Sequence, residues 1–492
     1  MSPEAERRAT APADRIPFPR KVAYGMGAFV NNLLAAAIGG MLIILNLGLG
    51  MNPALVGLLG ALPRAFDAMI DPVMGYVSDA TRSRWGRRRP WIFIGAIASG
   101  LAFIALWSLP GGHGERFYFW YFMAGSVVFY AAYTVFAAPW VALGYELTPD
   151  YHERTRLMGV QNFIGQVAYL LSPWFLWVMT RSSWFETPVE GAWWLAVAIG
   201  VTTIAVGVIP AIVLRERFRP GDEVADAAGE PRAAMLRRNV VAFARGCATT
   251  LRSRPFLRLC TATFLVFNGF IMIASFQSYV IIYYVFRGDQ QAGARYAGYA
   301  GTVSAVATFV AISIVTWLAT RVGKRRAFFV STAISMAGYA LKWPCYDPDR
   351  PLLLLLPPLL LAFGLGGLFT LMGSMIADVV DVDELATRER REGMYGSIYW
   401  WVVKVGMAAA LAGGGFLLEA TGFDVALGGA QSARTLFLMR LCDVLIPFVA
   451  SGLAIWVIAG YPVTEARANE VRRELERRRG ATGATGAAPA AA

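Results

Sequence analysis

The sequence predicts an all-α polytopic membrane protein, with twelve helices crossing a bilayer in two related six-helix halves. Three observations carry that expectation. Of 492 residues, 57% are hydrophobic and 16% charged, whereas a soluble domain runs to about a quarter charged. Apolar stretches of about 20 residues, the length that crosses a bilayer, recur twelve times. Two basic connector motifs also reappear later in the chain at nearly the same offset, 236 to 237 positions.

The elements follow in chain order. Residues 1–20 are polar, contain Arg15 and Arg20, and lack the compact apolar core of a signal peptide. Spans are expected near 22–49, 54–78, 91–110, 117–146, 157–181 and 191–214, which makes 21–214 the first bundle. The loop 215–255 carries Asp222, Glu223, Asp226 and Glu230, then a basic stretch from Arg232 to Arg254. It suits either a plain linker or an amphipathic contact with anionic lipid. Six more spans, near 256–286, 296–319, 327–345, 352–380, 394–419 and 435–461, make 256–461 the second bundle. The tail 462–492 is basic to Arg479, then Gly/Ala/Pro-rich and expected to be partly disordered.

Connectors alternate between Arg-rich and nearly neutral. With an even number of spans, that asymmetry puts both termini in the cytoplasm; a bacterial inner membrane is the expected location. The net charge of +12 is therefore a topological signature and not a nucleic-acid footprint. Cys247, Cys260, Cys345 and Cys442 have neither metal nor disulfide spacing. His113 and His152 both fall in loops, so no histidine-based catalytic or metal constellation exists, and an enzyme is disfavoured.

The connectors carry an internal repeat. Arg84-Trp85-Gly86-Arg87-Arg88-Arg89 follows span two, and Arg321-Val322-Gly323-Lys324-Arg325-Arg326 follows span eight, 237 positions on. Glu153-Arg154 after span four returns as Glu389-Arg390 after span ten, at 236. Parallel six-span repeats point to the major facilitator architecture, with a solute site at the midplane. The glycine and its cations suit a tight turn. Asp79, Arg84, Glu146, Arg154, Asp381 and Arg390 lie at the same span ends. They are expected as interfacial salt bridges that latch a cytoplasmic gate, with Glu146 opposite Arg154.

Chemistry concentrates in span two. Arg64, Asp67 and Asp71 share one helix face. Carboxylates inside a span are costly, so they face protein or a watery cavity and serve ions, protons or solute. The plainer alternative is a buried charge cluster that ties helices together. Two close carboxylates can ligate Na⁺ or hold one proton between them. Thr134 in span four is either a neutral oxygen ligand or a threonine bonded to its own helix. Lys404, behind Tyr399 and Trp400, is a counter-ion or a solute contact. Asn31, Asn32, Gln161, Asn162 and Gln166 either line the cavity or bond adjacent helices. Arg440 and Asp443, three apart, can pair on their own helix.

Asp67-x-x-x-Asp71-Pro72-x-x-Gly75, running into Thr81-Arg82-Ser83-Arg84-Trp85-Gly86-Arg87-Arg88-Arg89-Pro90-Trp91, resembles the glycoside–pentoside–hexuronide:cation symporters, the melibiose-carrier group. Tyr24-Gly25-Met26-Gly27, Ala142 to Thr148, Asp381-Val382-Asp383-Glu384 and Tyr461 to Glu465 extend the likeness over about 20–470. The resemblance implies Asp67 and Asp71 as coupling-cation carboxylates, Thr134 as an ion ligand, Arg64 as a cavity residue and Lys404 as the family's helix-eleven lysine. Departures fall in the recognition half. Ile70 stands where melibiose-type members have asparagine. Asn32, Ala137 and Asn162 replace sugar-binding charges, and Leu368 replaces an aromatic.

The expected function is secondary active transport of a small solute, a sugar or glycoside first, coupled to H⁺ or Na⁺. Asn32, Arg64, Asn162, Gln166, Tyr399, Trp400 and Lys404 are the expected solute contacts. The rivals are a carrier of an amphiphilic or lipid-like solute, and a non-transporting sensor on a carrier fold. The expected assembly is a monomer in membrane lipid, with no nucleic acid, no structural metal and no cofactor beyond the coupling ion.

Overall fold

A computed structural model describes residues 14–148, 151–216, 252–387 and 392–485, apart from some side chains within helices. Twelve long helices occupy the expected positions among these residues. They are α1 (Phe18–Met41, continued by Ile43–Leu47), α2 (Pro53–Ala80), α3 (Arg89–Trp107), α4 (Glu115–Glu146), α5 (Tyr151–Leu171) and α6 (Pro188–Gly207). The second half supplies α7 (Arg254–Tyr279), α8 (Gln290–Val322), α9 (Lys324–Cys345), α10 (Leu356–Thr387), α11 (Glu392–Ala420) and α12 (Ala433–Ala459).

Local chemistry sets several helix starts. Asn52 accepts from the Ala54 N–H ahead of Pro53 at the head of α2, and Thr187 accepts from Glu190 N–H ahead of Pro188 in α6. Proline at the first helical position loses no intrahelical bond. Among the described residues, nine helices are long and apolar enough to cross a membrane. Helices α2, α5 and α9 are not among them. These three carry Arg64, Asp67 and Asp71; Gln161, Asn162 and Gln166; and Lys342. Their polarity marks side chains that need protein partners.

The basic part of the tail lies in a further helix, α13 (Glu465–Thr485); the remainder of the stretch expected to be disordered, 486–492, lies outside the described residues. Val471 and Leu475 are buried on one side of it, and α13 packs along α10. The i,i+3 pairs Arg467–Glu470 and Arg477–Glu474 support its outer face.

The chain divides into two compact units. One takes in Met1–Ala225, Ser275–Thr302 and Ala408–Met439; the other takes in Asp226–Ala274, Val303–Met407 and Arg440–Ala492. In the first, α1 packs along α5, α3 along α4 and α6, and α2 along α4. Stacked Tyr24 and Trp140 lie in its interior. Segments from the second half of the sequence are built into this unit. Tyr279 donates to Asn46 Oδ1 at 3.0 Å, Trp174 donates to Thr302 at 2.9 Å, and Asn52 donates to Glu419 at 2.9 Å. Gly57 and Gly415 let α2 and α11 cross backbone to backbone: a Cβ on Gly57 would sit 2.8 Å from Leu411 O. The second unit closes around Phe256, Phe328, Leu368, Tyr395 and Tyr461. Leu368 is fully buried there.

Candidate functional site

The α2–α4 contact places the span-two acids. Asp67 is buried, with 6% of its surface exposed. Thr134 of α4, itself fully buried, donates to Asp67 Oδ1 at 2.7 Å. Its hydroxyl thus reaches across to the carboxylate and not back to its own helix. A carboxylate beside a hydroxyl is a hard-oxygen donor set, suited to an alkali cation or a proton. Asp71 lies one turn further along α2; its side chain is outside the described residues.

Arg64 stands one turn before Asp67. Its guanidinium is hydrogen-bonded to Tyr130 and lies close enough to Tyr133 and Asp67 to interact electrostatically. From there a polar seam crosses the unit. Tyr133 donates to Asn31 Oδ1 at 2.8 Å, Asn31 donates to Asn32 Oδ1 at 3.3 Å, and Asn32 donates to Gly165 O of α5 at 3.1 Å. The Asn32 amide is therefore engaged with a backbone carbonyl and ties α1 to α5. Asn162 and Gln166 on α5 are exposed. Tyr130 and Tyr133 went unnoticed in the sequence, although their three- and four-residue spacing from one another and from Thr134 put all three near one face of α4.

The remaining expected contacts belong to the second unit. Tyr399 is buried, and Thr263 donates to its hydroxyl at 3.5 Å. Trp400 is 56% exposed and stacks on Phe369. Lys404 is half-buried one turn on. Asp443 pairs with Lys342 of α9 at 2.9 Å, with both side chains at most 2% exposed. It does not pair with Arg440, which instead lies over the Trp343 ring and donates to Trp343 O. One helix turn leaves Arg440 reaching the exposed side while Asp443 points inward.

The repeated connectors build matching bolts in the two units. In the first, Gly86 has φ +109°, and the Glu216 carboxylate occupies the space where a side chain would begin. That carboxylate accepts from the backbone N–H groups of Arg87, Arg88 and Arg89 at 2.7, 2.8 and 3.0 Å. It caps the start of α3 from beyond the end of α6. Arg89 donates to Ala211 O, and Arg87 and Arg88 hold Glu146 at 2.7 and 2.8 Å. In the second unit, Gly323 has φ +84° and abuts Glu465. There Arg325 donates to Ala459 O, and Lys324 holds Asp378 at 2.7 Å.

Among the expected gate residues, Glu146 thus finds its cations in the turn before α3. The Arg154 and Asp79 side chains lie outside the described residues, as does Arg390. Arg84 is exposed and Asp381 half-buried. Glu153, buried at the start of α5, binds Lys21 at 2.7 Å and accepts from Ile16 N–H at 2.9 Å. Burial alone would raise its pKa, but Lys21, the Ile16 N–H and Arg156 outweigh burial and hold it below the ordinary value.

Among the described residues, nine helices long and apolar enough to cross a membrane and connectors duplicated between the two halves fit an integral membrane transporter of the major facilitator fold. Residues 23–465 match the family model described as MFS/sugar transport protein, and the chain belongs to that family. An uncharacterized symporter of Synechocystis is 26% identical over 95% of this chain and 98% of its own length. The isoprimeverose transporter of Lactiplantibacillus pentosus is 23% identical over 94% and 92%. In fold, the chain is similar to a bacterial homologue of the human lysosomal transporter Spinster, solved inward-facing and unoccupied. That match has a TM-score of 0.63 and 16% identity over 92% of this chain and 98% of the other. Together with the motifs around Asp67 and Gly86, these relatives fit the glycoside–pentoside–hexuronide:cation symporters.

Proposed function

We propose that this protein carries a sugar or glycoside by cation-coupled symport, with H⁺ or Na⁺ as the driving ion. The observation that supports this best is the buried Asp67 carboxylate met by the Thr134 hydroxyl. Asp67, Asp71 and Thr134 form the cation site. Arg64, beside Asp67, senses whether that carboxylate is neutralised and couples it to solute bound by Asn162, Gln166, Tyr399, Trp400 and Lys404. Asn32 shapes the cavity wall through its bond to Gly165. The bundles 21–214 and 256–461 alternate access, and the bolts at Gly86 and Gly323 lie on the cytoplasmic side with both termini. The carrier works as a monomer. A solute resembling the isoprimeverose of a relative is favoured over a lipid.

The test is thermal melting of the purified protein with a panel of disaccharides, glycosides and lysolipids, in choline and in sodium buffers. A glycoside that stabilises more strongly with Na⁺, or as pH falls, supports the proposal. Stabilisation by lysolipids alone would overturn the solute class.

A further inference from the structure

Where α1 begins and α6 ends, the first unit contains a cavity of about 170 Å³ lined by Asp14, Arg15, Arg20 and Arg215 over a floor that includes Leu147 and Leu214. Three arginines and one aspartate are among its lining residues, so the described lining carries more positive than negative charge. This wall is pinned in place. The Ile16 N–H is held by Glu153 at 2.9 Å, Asp14 O accepts from Thr148 at 2.9 Å, and Lys21 pairs with Glu153. Two exposed apolar side chains lie close in sequence to these arginines: Phe18, two positions before Arg20, is 66% exposed, and Ile212, three before Arg215, is 58% exposed. The proposed cation site and the α3 bolt draw on none of these three arginines.

We propose that this cavity holds the phosphodiester headgroup of an anionic phospholipid, with its acyl chains running along Phe18 and Ile212. Guanidinium groups match phosphate oxygens with paired donors. Exposed apolar side chains within three residues of Arg20 and Arg215 favour a lipid-borne phosphate over a free one, because a soluble anion gains nothing from them.

The test uses the full chain in phosphatidylcholine nanodiscs, with and without phosphatidylglycerol. Retained lipid is read by native mass spectrometry and stability by melting. Wild type is expected to retain phosphatidylglycerol in preference to phosphatidylcholine and to melt higher in its presence. Each guanidinium removed in the Arg20→Gln/Arg215→Gln variant weakens retention about fivefold. An Arg350→Gln control, at an exposed position elsewhere, leaves it unchanged. Equal retention of the two lipids by wild type overturns the site whether or not the variant folds. Undiminished retention by a folded variant also overturns it. If inorganic phosphate in pure phosphatidylcholine discs reproduces the stabilisation and displaces phosphatidylglycerol, the ligand is a soluble anion and the lipid assignment fails.

Discussion

Replacing Glu216 with alanine tests the bolt at the head of α3. Three backbone N–H groups converge on this one carboxylate at 2.7, 2.8 and 3.0 Å. A hydrogen bond contributes about 1 kcal/mol net, and more when the acceptor is charged. Glu216 is only half-buried, so water replaces part of that loss, and a total of about 2–3 kcal/mol is reasonable. Because about 1.4 kcal/mol is a factor of ten in an equilibrium constant, the turn should open about 30- to 150-fold more often. Hydrogen–deuterium exchange of the Arg87, Arg88 and Arg89 amides reads this directly. Glu216→Gln keeps one oxygen acceptor and should fall between alanine and wild type. Unchanged exchange in Glu216→Ala would show that the cap carries no weight and that the turn is held by Arg87, Arg88 and Glu146 alone.

Gly415→Val drives a side chain into the Pro53 carbonyl and the Gly57 backbone. It should cost about 3 kcal/mol or more, seen as a lowered melting temperature or as loss of a disulfide engineered across α2 and α11. Glu153 has a depressed pKa, so its stabilising effect is present above the unfolded-state value and is lost as pH falls through the lower folded-state value. Exchange of the Ile16 amide should therefore rise only below the ordinary carboxylate range, and Glu153→Gln should abolish that acid limb. Lys342→Met leaves Asp443 buried and uncompensated, at an expected cost of about 3–5 kcal/mol. Lys342→Met/Asp443→Leu should recover most of it in a thermal melt.

The architecture was legible because charge is conspicuous in an apolar chain. Arg-rich connectors mark one face, and two motifs repeated at nearly the same offset reveal the duplication. Asp67 stood out for the same reason, as did its placement with Arg64 on one face of α2. Partners were less legible. Nothing in the spacing says that Glu146 meets Arg87 and Arg88, or that a glutamate beyond α6 caps α3, because those contacts depend on how helices far apart in sequence pack. Asp443 shows the limit of local spacing: Arg440 is its nearest cation along the helix, but Lys342 of α9 is the one on its buried side. The helix in the basic tail was not read from the sequence, although Val471 and Leu475, one turn apart, give α13 an apolar face to bury.

Gradient-driven uptake by Asp67→Asn, reconstituted in proteoliposomes with a glycoside the wild type accumulates, bears most directly on the coupling mechanism. The amide keeps the size of the side chain and a bond to Thr134 but can neither ionise nor release a proton. The variant is expected to exchange solute across the membrane while failing to concentrate it under an imposed Na⁺ or H⁺ gradient. Accumulation at the wild-type level would contradict a coupling role for Asp67 and leave its carboxylate as a structural tie between α2 and α4.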